Sequence, residues 1–176
     1  MTLTNPEKGE RAMTVYHQEF KIQSEMRPTF DDVTEQVEKV LAQSGVAEGL
    51  LVVFSQHTTC SVLIQEASDD TDYWGTELLM QDLVNALGKI IPKCLTQGQY
   101  LHPGPMHIEA ALGREELPAW SLNTDAHLRS VIMGRSVTIP VQNNAMVLGE
   151  FGRIYFADFD QVRARQRIVR VTIIGE

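Results

Sequence analysis

Residues 136–149 read SVTIPVQNNAMVLG. β-Branched and aliphatic residues recur on both sides of Asn143-Asn144, a pair that tolerates the positive φ of a tight turn. The stretch therefore predicts a hairpin with arms at 136–142 and 145–149. Residues 154–159 and 167–174 continue the β pattern, while Gly149 and Gly152 around Phe151 predict a bend or a close approach of backbones. Everything after Ser136 is β, joined by short connections, and such strands pair antiparallel.

Upstream the pattern changes. Residues 14–24 read as a strand. Thr29-Phe30-Asp31-Asp32 has the character of a capping box, followed by Val33, Val37, Val40 and Leu41 on one helical stripe that ends before Gly45. Residues 50–55 form a buried strand, and Val62-Leu63-Ile64 lie in another. Asp69-Asp70 caps a long helix to Ile91, with Trp74 and Met80 as packing residues, at this core or at a subunit contact, and Pro92 as the stop. Residues 98–120 hold Gly98, Pro103, Gly104, Pro105, Gly113 and Pro118 and read as an irregular loop. Asn123 or Thr124 caps a last helix through Met133, which Gly134 terminates. The order β-α-β-β-α-loop-α-β-β-β-β predicts an α+β fold with a mostly antiparallel sheet and about three helices. At 176 residues the chain reads as a compact single domain, 13–176, behind a mobile tail at 1–12.

Net charge is −8, so the molecule as a whole repels phosphate backbones and anionic membranes, and nucleic acid is excluded as an expected partner. Any anionic ligand must be caught by a local cluster of arginines and backbone N–H groups. The basic run Arg163-Ala164-Arg165-Gln166-Arg167, with Arg170, alternates sides and reads as a solvated sheet face. Two cysteines without framework spacing, Cys60 and Cys94, imply a reducing compartment; with no membrane span, the expected location is the cytoplasm.

The chemistry concentrates in two places. Residues 57–66, HTTCSVLIQE, put an imidazole, hydroxyls and a thiol ahead of a strand ending at Glu66; residues 123–127, NTDAH, open a helix. If the fold brings them together, His57 and His127 are the candidate proton carriers. Glu66 and Asp69, spaced by three, offer oxygens for Mg²⁺, although Asp69 reads equally as a helix cap. His57, His102 and His127 offer a set for Zn²⁺ without any standard local spacing. Arg129 is placed to meet a phosphate near the N-terminus of the last helix. Cys60 reads as a small strand residue rather than a nucleophile.

The motifs H-T-x-x-x-x-x-I-x-E at 57–66, N-x-D-A-H at 123–127, G-x-S-x-T-I-P-V at 134–141 and G-x-x-x-x-I-Y-x-x-x-F-D at 149–160 resemble the YjbQ-like family, also called the secondary thiamine-phosphate synthase family. The resemblance implies a one-domain α+β protein that assembles as a homotrimer. It also implies a pocket for a small phosphorylated metabolite, and a weak or secondary activity joining hydroxymethylpyrimidine diphosphate to thiazole phosphate. It implicates His57, Thr58, Glu66, Asp69, Asn123, Asp125, His127 and Ser136, with His102 matching a Y-x-H motif. The chain departs from the family at Gln65, Ala67, Phe151 and Gly152, and its 103–120 loop is longer. A divalent metal, Mg or Zn, is the expected cofactor. Metal-assisted phosphoester hydrolysis and non-catalytic metabolite binding are the alternatives.

Overall fold

The computed structural model describes residues 12–176; residues 1–11, most of the expected tail, lie outside the described residues. The strands are β1 (Thr14–Gln23), β2 (Thr29–Asp32), β3 (Gly49–Ser55), β4 (Cys60–Glu66), β5 (Ser136–Gln142), β6 (Ala145–Met146), β7 (Gly152–Asp158) and β8 (Gln166–Gly175). The helices are α1 (Thr34–Ser44), α2 (Leu78–Ile90), α3 (Pro105–Gly113) and α4 (Thr124–Met133), with a 3₁₀ turn at Pro118–Ser121. Two sheets form, in the orders β1-β8-β3-β5-β6 and β2-β7-β4, and every pairing is antiparallel. The α+β expectation holds.

The hairpin is present, with its second arm ending at Met146 rather than Gly149. Asn143 and Asn144 take φ of 52° and 64°, and Val141 pairs with Met146. The predicted close approach is also found: a Cβ on Gly152 would run into the Leu148 carbonyl.

The three-stranded sheet is covered on both faces. Cys60, Val62, Ile154 and Phe156 pack against Val33, Val37 and Val40 beside α1 and against Leu51, Val53, Val169 and Val171 of the larger sheet. The alternate residues Leu63, Tyr155 and Ala157 pack against Met80 and Leu87 of α2 and Ala126 of α4. Two-sided cover explains why burial is unbroken from Cys60 to Leu63 and from Ile154 to Asp158. Two of the chain's passages between the sheets lie at 56–59 and 159–165. Those crossings are joined, because the Phe159 N–H donates to the Thr59 carbonyl at 3.0 Å.

Three expectations change. Residues 29–32 are the strand β2, paired to β7, and of the expected capping box only Asp32 serves α1, its Oδ1 accepting the Thr34 N–H at 2.9 Å. The second helix begins at Leu78 rather than after Asp70. Asp72 Oδ1 accepts N–H bonds from Trp74 and Thr76 at 2.8 and 2.9 Å, and Gly75 at φ 79° closes a turn that a helix would have to undo. Trp74 is consequently 65% exposed on that turn, while Met80 packs as expected. Finally, the 98–120 segment is not wholly irregular: Pro105 starts α3, the fourth helix. Among the described residues, no helix is long and apolar enough to cross a membrane.

Candidate functional site

Where the two crossings meet, a cavity of about 350 Å³ opens. Gln56, His57, Thr58 and Thr59 line one side, Asn123 and His127 another, and Arg163, Arg165 and Arg167 a third. The 105–121 segment supplies the remaining wall with His107, Arg114, Glu116, Trp120 and Ser121. The two polar clusters of the sequence do meet.

Hydrogen bonds fix the histidine tautomers. The Ile168 N–H donates to His57 Nε2 at 2.9 Å, so the neutral His57 ring carries its proton on Nδ1 and is a donor there. His127 has the opposite arrangement. Its Nδ1–H donates to the Thr58 carbonyl at 3.2 Å, leaving Nε2 as a free acceptor. In His102, Nδ1 lies 2.8 Å from the Thr124 hydroxyl, which itself donates to the His102 carbonyl, so Nδ1 again holds the proton. The rings of His107 and His127 lie 4.6 and 5.8 Å from that of His102, edge to face.

Burial holds all three tautomer-fixed rings below the usual imidazole range. Arg167 adds to the effect at His57, and His107 then His127 add to it at His102. At His127 the Thr58 carbonyl and Asp160 oppose it without reversing it. The cavity therefore presents neutral imidazoles at neutral pH, one a donor and one an acceptor.

The arginines are held by two different devices. Arg167 Nε and Nη2 grip Asp158 at 2.6 and 3.1 Å, and Nη2 also donates to the Thr59 hydroxyl at 3.0 Å. Asp160 Oδ2 lies 3.2 Å from Arg165 and 3.6 Å from Arg167, ionic contacts rather than aligned hydrogen bonds. Asp158 and Asp160 are fully buried. This network ties β7 of one sheet to β8 of the other. At the cavity mouth, Glu116 alone bridges Arg114 and Arg163, at 3.2 and 3.1 Å, and the Arg163 guanidinium stacks on Trp120 at 4.4 Å.

Of the residues expected at the site, His57, Thr58, Asn123 and His127 line the cavity. Asp125 is buried behind it, accepting the Cys94 N–H at 3.1 Å, and its burial raises its pKa. Arg129 is no phosphate ligand here: it is 3% exposed, donates to the Ile91 carbonyl at 2.8 Å and sits 3.7 Å from Asp125. Glu66 ends β4, and a strand of that length carries it about 20 Å from Cys60. Asp69 lies exposed on the turn beyond it, and Ser136 is exposed at the start of β5. The expected metal set of His57, His102, His127 and Asp69 is not assembled, and among the described residues no three His, Cys, Asp or Glu side chains converge to hold a metal ion.

The site residues not foreseen are Arg114, Glu116, Trp120, His107 and the run Arg163, Arg165 and Arg167. That run reads as a solvated face only while its partner is unseen. The signal lay in Asp158-Phe159-Asp160: acid at i, i+2 beside base at i, i+2 lets both pairs point to one side of a chain reversal. The residues from the 105–121 segment carried no such signal.

Comparison with known proteins matches residues 18–176 to the family described as UPF0047 protein YjbQ-like. A UPF0047 protein of Methanothermobacter thermautotrophicus is 32% identical over 164 residues, 93% of this chain and 95% of that one. A solved yjbq/upf0047 family structure from Clostridium acetobutylicum has a TM-score of 0.66 at 29% identity, covering 89% of this chain and 98% of that one. A hypothetical protein from Aeropyrum pernix gives 0.69 at 29%, covering 91% and 98%. Together with the two polar clusters joined at one cavity, these matches show that the chain belongs to the YjbQ-like UPF0047 family.

Proposed function

We propose that the cavity binds a small phosphorylated metabolite and, as an enzyme, transfers an alkyl group from a diphosphate leaving group. The observation that carries this is the convergence of four arginines with a donor imidazole, His57, and an acceptor imidazole, His127, on one cavity of metabolite size. In the reaction expected from the family resemblance, the thiazole nitrogen lone pair forms a bond to the pyrimidine methylene carbon. The carbon–oxygen bond breaks, and its electron pair leaves with the diphosphate. Nitrogen loses no proton in that step, so the protein's contribution is electrostatic. Arg165 and Arg167 meet the charge growing on the diphosphate, the His57 Nδ1–H donates to it, and His127 Nε2 accepts a hydrogen bond from the organic part.

The test is to mix purified protein with hydroxymethylpyrimidine diphosphate and thiazole phosphate and follow thiamine phosphate by mass spectrometry. Product that disappears in Arg165→Ala supports the reading. Diphosphate binding without product leaves a binding protein, and absence of binding removes the proposal.

A second reading, metal-assisted phosphoester hydrolysis, is favoured by the free Nε2 positions of His102 and His127, the ring atoms a transition metal takes. The rings do not converge on one point, so no step here is routed through a metal. Elemental analysis of untagged protein, with hydrolysis of a phosphoester panel, distinguishes the two.

We further propose that the chain assembles as a homotrimer. Ile90 on α2 and Val131 and Ile132 on α4 are 75, 74 and 60% exposed, apolar side chains of the kind that subunit contacts cover. Light scattering giving a monomer mass would remove this.

A further inference from the structure

The arginines of the cavity fall into two pairs whose counter-charges differ in kind. Arg165 and Arg167 answer to Asp158 and Asp160, carboxylates with no exposure that are built into the join between the sheets. No ligand can displace them without taking the fold apart. Among the described residues, Arg114 and Arg163 answer to Glu116 alone, a half-buried side chain on the 105–121 segment with one oxygen on each guanidinium. The two arginine contacts hold the Glu116 carboxyl below the usual range, so it is an anion throughout the neutral region. Exposed ion pairs of this sort are weak and are readily exchanged.

We infer that the cavity has two anion subsites, a deep one at Arg165 and Arg167, deep by its buried carboxylates although Arg165 itself is 29% exposed, and one at its mouth at Arg114 and Arg163, where the Glu116 carboxylate stands in for a second phosphate group of the ligand. This rests on the phosphate-binding reading above and sharpens it. The ligand class is a diphosphate, or a pair of phosphorylated ligands bound side by side. Trp120 orients the mouth subsite, because its ring fixes the Arg163 plane.

The experiment is calorimetric titration with inorganic pyrophosphate and, separately, orthophosphate at constant ionic strength, using the full chain and the variants Glu116→Gln, Arg163→Ala and Arg165→Ala. Glu116→Gln is expected to bind pyrophosphate about 3- to 10-fold tighter, because the resident competitor is gone, with orthophosphate affinity within about twofold. Arg163→Ala is expected to erase the advantage of pyrophosphate over orthophosphate, and Arg165→Ala to weaken both. Unchanged or weaker pyrophosphate binding by Glu116→Gln, with an unaltered melting curve, overturns the mouth subsite while leaving the deep one standing. If the wild-type chain binds neither anion, the phosphate reading and this inference fall together.

Discussion

The deep wall and the mouth of the cavity use the same chemistry, arginine against carboxylate, to opposite ends. Asp158 and Arg167 are 0 and 4% exposed and bond in a bidentate fork, whereas Glu116 and Arg163 are 28 and 25% exposed and share single contacts. Removing water makes the inner pair costly to break, since an orphaned charge has nowhere to go; the outer pair trades its partner for water or a ligand at little cost. The inner carboxylates therefore belong to the fold and stay on their arginines, while the outer one can be exchanged for a ligand.

The largest expected effect breaks the inner side. Asp158→Ala leaves buried Arg167 with only its longer ionic contact to Asp160 and should lower unfolding free energy by about 3–5 kcal/mol, read from the denaturant midpoint. Pairing it with Arg167→Met should recover much of that loss; if the double variant is as unstable as the single one, the ion pair is not the cause.

Next comes Asp31. Burial, then Asp158 and Glu25, raise its pKa from 3.8 to about 6, and Oδ2 has no acceptor or donor against it among the described residues. A carboxyl whose folded-state pKa is raised stabilises fully below its unfolded value, and that contribution is lost as pH rises through about 6. Asp31→Asn should thus gain on the order of 1 kcal/mol at pH 7 and none at pH 4, measured by urea titration at both pH values.

The histidines act with the reverse sign. His57, His102 and His127 are depressed from 6.5, so the unfolded chain binds more protons than the folded one. Their contribution is complete above that value and fades as pH falls below it. His127→Gln should flatten the decline of the thermal midpoint between pH 7 and 5; an unchanged slope would show that His127 is not the group responsible.

At the mouth, Arg163→Ala should cost less than about 1 kcal/mol of stability while weakening pyrophosphate binding, a separation that the inner wall cannot show. Smallest of all, Ser136→Ala and Glu66→Gln should stay within about 0.5 kcal/mol and leave anion binding untouched. A binding loss in either would mean that the cavity described here is not the whole site.

Much of the site was legible because His57 and His127 stand in polar clusters at the ends of elements whose apolar pattern was clear. Arg129 was misread for a physical reason. Sequence placed it near a helix N-terminus, but only packing decides whether a guanidinium faces an opening or is folded onto the Ile91 carbonyl. Glu66 shared a motif with His57, yet β4 separates them by its full length. Spacing along a strand is distance, not proximity.

The sequence by itself determined the antiparallel α+β character, the turn at Asn143-Asn144, the stripe of α1 and the polar character of both clusters. These depend on local geometry and on periods of two and 3.6 residues, which neighbouring residues impose on one another. The tertiary structure alone decided that residues 29–32 are a strand, that Asp158 and Asp160 neutralise Arg165 and Arg167, and that the 105–121 segment closes the cavity with Arg114 and Glu116. Each of those depends on which surfaces are left unpaired once two sheets have packed, and on how much water the packing removes from a charge. Neither quantity exists in the chain until it folds.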